Sequence, residues 1–261
     1  VKRNIIEFIS HNEYKDIICE PYPSYKNFPS WFSNTKLVSK KSECPFVFLH
    51  RDNFSDVDRE TNVTGCPGII DYSSMGYIVP SWNNFLIRND DNQLYITWEH
   101  DFRDKYSLHE TEHHIPGFSE NEKPKYGGFS KLFTPWYIKT SPGISCLITH
   151  PVLYRETRFT TSSGIMHTDK FPVPLTWFFE WNNEIKIGLE ENKIPREQLI
   201  TIGTPLIHII PFQRKDFNSE VKYLDNSSMN LLKYKTSVFL HDWSGNSLYN
   251  KFRKTIKNMF R

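Results

Sequence analysis

Tyr137-Ile138-Lys139-Thr140-Ser141-Pro142-Gly143, then Gly164-Ile165-Met166-His167-Thr168-Asp169, then Gly203-Thr204-Pro205-Leu206-Ile207-His208-Ile209-Ile210-Pro211 decide the fold. Each is an apolar or alternating run broken by glycine or proline, the pattern of short strands joined by turns. In the last run Leu206, His208, Ile210 and Phe212 share one face, and Ile207, Ile209, Pro211 and Gln213 share the other. Both faces are largely apolar, which predicts a strand in the middle of its sheet.

Working outward, the sequence predicts strands over 136–139, 144–149, 158–161, 175–181, 184–188 and 206–213. On the N-terminal side it predicts strands at 46–49 and 77–80, and a hairpin in which Asn89-Asp90-Asp91-Asn92 turns 85–88 back onto 94–98. Gly65-Cys66-Pro67-Gly68 reads as a turn. The polar stretch 101–135 reads as a long surface excursion. The expected fold class is mainly β, one antiparallel β-rich domain. Residues 1–45, rich in proline and aromatics, read as an arm packed on a 46–241 body whose core motifs span 137–214. In 242–261, Leu248, Phe252 and Ile256 recur at helical spacing opposite Lys251, Arg253, Lys254 and Lys257, the pattern of a basic amphipathic helix.

Composition narrows the function classes. The 261 residues carry a net charge of +2, too little for a nucleic-acid polyelectrolyte. No run approaches the ~20 apolar residues of a membrane span, and residues 1–8 lack the apolar core of a signal peptide. The 20 Phe, 13 Tyr and 7 Trp, with 16 Pro, favour strands and ordered loops over helical bundles. Cys19, Cys44, Cys66 and Cys146 form no Cys-x-x-Cys pair, so reduced, mostly buried thiols are expected.

Two patterns could carry metal chemistry. His109-Glu110-Thr111-Glu112-His113 would place two imidazoles on one face of a helix, with Glu110 as base and His114 beside them. A solvated loop is the competing reading. His167-Thr168-Asp169 is similar to the His-x-Asp of iron(II)/2-oxoglutarate oxygenases, in which His208 would be the distal ligand and Arg214 the cosubstrate anchor. Arg214 lies six residues past His208, about 20 Å along a straight strand, which argues against one shared site. A core or interface histidine is the plainer reading of His208. No cofactor is expected outside that alternative.

Segments 137–214 resemble the β-clip fold of trimeric dUTPases and dCTP deaminases. The resemblance rests on Ile138–Gly143 as a strand entering a Pro-Gly turn, on Gly164–Phe171 as the hairpin that shapes a nucleoside pocket, and on Gly203–His208 as the closing strand. It implies a β-clip core, a homo-oligomer (trimer or dimer), and a nucleotide or other small ligand near Gly164, His167 and Asp169. His167 stands at the place of the family's catalytic Asp, and Asp169 is two residues on. Thr161-Ser162-Ser163 replaces the family's Arg-Ser phosphate arm, and the glycine-rich C-terminal arm is absent. The chain is also similar to an uncharacterised family of marine phages and bacteria through Pro29–Phe32, Gly65–Pro67, Met75–Pro80, Thr168-Asp169 and Gly203–Pro205. That similarity implies a phage-encoded protein of the host cytoplasm or virion. The favoured reading is a non-catalytic ligand-binding or structural accessory protein. The alternatives are the oxygenase with His167, Asp169 and His208, and a divergent nucleotide hydrolase in which Asp169 or His167 orients water.

Overall fold

The computed structural model describes residues 5–34, 67–90, 93–98, 108–110, 129–170, 173–182, 184–187, 190–193 and 197–234. The chain divides into two compact units, Val1–Leu37 with Asn62–Lys215, and Val38–Thr61 with Asp216–Arg261.

The first unit is antiparallel β throughout its sheets. Sheet A runs β1 (Ile6–Ile9), β7 (Phe129–Thr140), β11 (Pro174–Trp181) and β9 (Phe159–Thr161), with β6 (Leu108–Glu110) also on β7. Sheet B runs β10 (Gly164–Met166), β8 (Ile144–Thr149), β15 (Pro205–Gln213), β3 (Tyr77–Pro80) and β2 (Tyr22–Pro23). A smaller sheet joins β14 (Glu197–Ile200), β4 (Phe85–Asp90) and β5 (Gln93–Thr97), and β12 (Glu184–Ile187) pairs with β13 (Glu190–Lys193).

Period-two patterning builds the core. On β11, Leu175, Trp177, Phe179 and Trp181 are buried while their neighbours are half-exposed. They meet Leu132 and Ile138 of β7 and Ile207 and Ile209 of β15 in one apolar cluster. Trp177 and Phe179, two residues apart on one strand face, stack with centroids 3.8 Å apart. Thr161 pins the two sheets together: its Oγ1 donates to the Leu206 carbonyl at 2.6 Å and accepts from Trp177 Nε1 at 3.0 Å. As its two apolar faces predict, β15 is central, pairing with β8 on one side and β3 on the other.

Four local expectations change. Residues 5–34 do more than lie over the body, because β1 and β2 extend a sheet each. They also include a short helix, α1 (Ser30–Asn34), which buries Phe32. Residues 67–68 open helix α2 (Pro67–Ser74) instead of completing a turn, proline being tolerated in a first helical turn. The polar excursion ends early, since β7 starts at Phe129. Its inward Ser130 and Thr134 interrupt the apolar alternation, and Thr134 Oγ1 accepts from Trp136 N–H at 3.2 Å. In the second unit, residues 226–234 form a helix. It is capped by Asp225, whose Oδ1 accepts from Ser228 N–H at 2.7 Å. That bond, above all, pulls the Asp225 carboxyl below its ordinary value. The strand expected at 46–49 and the basic helix at 242–261 lie outside the described residues.

Candidate functional site

Strand register decides which candidate residues meet. Gln213 pairs with Ile144 across β15 and β8, so Arg214 arrives opposite Gly143 and donates its N–H to the Gly143 carbonyl at 2.9 Å. On the other edge of β8, Met166 pairs with Cys146, so His167 falls beside Ser145. The tight turn 167–170, closed by Lys170 N–H to His167 carbonyl at 3.0 Å, then returns Asp169 to the same point. His167, Asp169 and Arg214 therefore converge at the β7–β8 turn.

Asp169 is gripped from two sides. Arg214 donates Nη1 to Oδ1 at 2.7 Å and Nη2 to Oδ2 in a fork, and Gly143 N–H donates to Oδ2 at 2.9 Å. Arg214, first of all, and then the Gly143 N–H hold the Asp169 carboxyl far below the usual carboxylate range, and the same pair raises Arg214. Arg214 Nη1 also donates to Ser145 Oγ at 2.7 Å. Ser145 has one hydrogen left, and His167 Nδ1 lies 2.8 Å from its oxygen. Behind this cluster Thr140 and Thr168 meet at 2.7 Å through their hydroxyls. Ser141 exchanges two hydrogen bonds with Ile5, N–H to Ser141 Oγ at 3.0 Å and Ser141 N–H to the Ile5 carbonyl at 3.1 Å. The node thus ties together the start of β1, the β7–β8 turn, the 167–170 turn and the end of β15. Asp169 is nearly enclosed, while His167 is exposed to solvent.

His208 lies elsewhere. It pairs with Thr149, four residues up β8 from Ser145 and about 13 Å away along the strand. Only 3% of it is exposed. Nε2 lies 2.7 Å from the Met75 carbonyl, and Tyr72 of α2 packs edge-on against the ring. A carbonyl only accepts, so Nε2 carries the hydrogen. Burial lowers the His208 pKa from its ordinary value, against the weaker opposing pull of the Met75 carbonyl. Ser24 also donates to the Met75 carbonyl, at 2.6 Å. The cleft beside His208, lined by Tyr72, Ile78, Pro151, Leu153 and Tyr154, has space for little more than one water molecule.

The metal readings do not fit this geometry. Ligands of one ion must bring donor atoms within about 2 Å of it, yet His208 sits a sheet-length from His167, and Asp169 has both oxygens engaged. Gly164 begins β10 nearer the His208 end, opposite Ile148, and nothing lies within 4 Å of where its Cβ would be. His109 and Glu110 lie on strand β6, whereas the paired-histidine zinc pattern needs a helix. His113 and His114 lie outside the described residues. Among the described residues no three His, Cys, Asp or Glu side chains are grouped to share an ion.

Sequence reasoning missed Ser145 and the Gly143 N–H, which complete the node. The signal was present: alternation along 144–149 puts Ser145 on the outer face with Leu147 and Thr149, and the Pro142-Gly143 turn presents a backbone N–H. It also missed the Met75 carbonyl, for which Gly76 was the marker.

No family model matches the chain, and no curated protein matches it. Among solved structures, a mutant dUTPase from phage phi11 of S. aureus is similar, at 10% identity and a TM-score of 0.25, over 47% of this chain and 97% of that one. The likeness is too slight to transfer residues or activity. Among the described residues no helix is long and apolar enough to cross a membrane.

Proposed function

We infer that this chain is a phage-encoded accessory protein of the host cytoplasm that works by binding and self-assembly, without turnover, on a β-clip scaffold. One observation carries the non-catalytic part: both oxygens of Asp169 are held, by Arg214 and by the Gly143 N–H. A general base needs a free lone pair facing its substrate proton, and three of this carboxylate's roughly four lone-pair sites are taken by Arg214 and the Gly143 N–H. His208, the distal ligand of the oxygenase alternative, is enclosed and bound to the Met75 carbonyl. The ligand-binding part rests on exposed His167 beside partly exposed Arg214, a face suited to a small anion such as a nucleotide. The β-clip scaffold and the phage origin rest on the sequence resemblances. The unpaired Cys19 and Cys146 suit a reducing compartment.

The test combines a thermal-shift screen of deoxynucleotides with product chromatography of dUTP and dCTP incubated with the full chain. The expected result is stabilisation by a nucleotide with no product formed. Turnover that disappears in Asp169→Asn would make the protein a hydrolase and overturn the reading. No shift with any nucleotide would remove the ligand and leave the assembly role.

A further inference from the structure

The outer face of sheet B is roofed at one end only. Paired residues of antiparallel strands share a face, so Thr149, His208, Ile78 and Tyr22 form one row, and Ile165, Leu147 and Ile210 form the next. The first row is covered by Tyr72 of α2 and by Tyr154, whose hydroxyl meets Tyr22. Beyond it Ile210 is still buried, and the face opens toward the β10 edge and the end of β15. Ile165 is 62% exposed and Phe212, one row on, is 36% exposed.

This bare end runs into an open strand edge. β10 pairs with β8 alone, and Gly164, Ile165 and Met166 make no further hydrogen bond among the described residues. Alternate backbone groups of β10 therefore face outward unpaired. Folded proteins ordinarily blunt such an edge with charge, proline or a bulge. β10 has none of these: Thr161–Met166 carries no charge and no proline, and its register with β8 is unbroken. The opposite edge of the same sheet is guarded, for β2 is two residues long, contains Pro23 and is held by Tyr154.

We propose that the β10 edge, centred on Ile165, is where a second copy of this chain adds on, strand against antiparallel strand about a two-fold axis. This gives a surface to the self-assembly in the functional reading above and rests on that reading. Charge placement selects a second copy in this orientation. At the C-terminal end of β10 Arg214 is paired with Asp169 and Lys170 adds a further positive charge, so that end is net basic. An antiparallel two-fold sets each copy's basic end beside the partner's uncharged Thr161–Ser163, whereas a parallel arrangement would set basic end against basic end. Ile165 then faces its own copy across the axis, and the two B sheets become one continuous sheet.

Sedimentation equilibrium of the full chain, with Ile165→Lys and Ile165→Cys, tests this. Ile165 is exposed, so both variants keep the wild-type far-ultraviolet circular dichroism as the check on folding. The wild type is expected to be a concentration-dependent dimer, and Ile165→Lys to raise the dimer Kd at least about tenfold, by setting like charges across the axis. Ile165→Cys with diamide as oxidant should give a covalent dimer, two thiols yielding one disulfide and diamide taking up the two hydrogens. Cross-strand spacing suits that bond, and wild type under the same treatment controls for its own cysteines. A dimer that is indifferent to Ile165→Lys and that Ile165→Cys fails to cross-link, or a trimer, would overturn this surface and leave self-assembly standing. A monomer at every concentration would overturn both.

Discussion

Two histidines mark the two ends of one sheet face, and they are treated in opposite ways. His208 is roofed by α2, bonded to a backbone carbonyl and kept neutral by burial. His167 sits at the open end, exposed beside an arginine already committed to Asp169. The difference teaches that an imidazole's neighbours, and not its place in a sequence motif, set its role. At the roofed end the polar groups hold a helix to a sheet. At the open end they join four chain segments and still leave a surface.

The largest expected effect breaks the roof. Gly76 follows α2 with φ +74°, and a Cβ there would lie 1.9 Å from the Ile209 carbonyl oxygen. Gly76→Ala meets both backbone strain and a backbone clash. It should cost about 2–4 kcal/mol in urea denaturation, or prevent folding.

Next comes the bond beneath that roof. His208→Ala removes a buried ring and orphans part of the Met75 carbonyl's bonding, at a cost of about 2–3 kcal/mol. Its pH dependence is distinctive. A folded-state pKa pushed below the ordinary imidazole value of about 6.5 means that stability is present above that pH. It is lost as pH falls through the folded pKa, when the buried ring must charge. His150, also lowered by burial, adds to the same loss. His208→Leu should therefore flatten part, and not all, of the wild-type decline in melting temperature below about pH 6.5.

At the open end, Asp169→Asn should lower the melting temperature by less than His208→Ala, because Arg214 stays partly solvated. The sign again follows from a depressed pKa. The Asp169 contribution is present above the ordinary carboxylate value of about 3.9 and is lost as pH falls below it. The variant's acid unfolding curve should lack that component. The smallest effect belongs to His167→Ala, within about 0.5 kcal/mol in the same denaturation series. A large loss there would erase the contrast between the two ends.

The sequence made one kind of structure legible and left another hidden. Alternation placed β8, β11 and β15 almost to the residue, and two apolar faces marked β15 as central. Helix α2 was masked because Gly65–Gly68 carries turn residues that serve as well before a helix. The N-terminal edge strand β1 was masked because a four-residue strand next to irregular chain has little pattern to read. The site was half legible. His167, Asp169 and Arg214 were picked out, but the grouping with His208 failed. The sequence separation between Arg214 and His208 is what places them at opposite ends of a straight strand, and only antiparallel pairing with β8 shows which end meets His167. Ser145 and the Gly143 N–H were invisible as partners because their role depends on register between strands far apart in the chain.

The most direct test of the central claim is a double-mutant cycle on Asp169→Ala and Arg214→Ala, followed by urea denaturation. If Asp169 serves as a clamp for Arg214, the two losses are coupled, and the double variant is about as stable as the worse single variant. If the two losses simply add, Asp169 and Arg214 act independently, the carboxylate is free for other work, and the structural reading of this site is wrong.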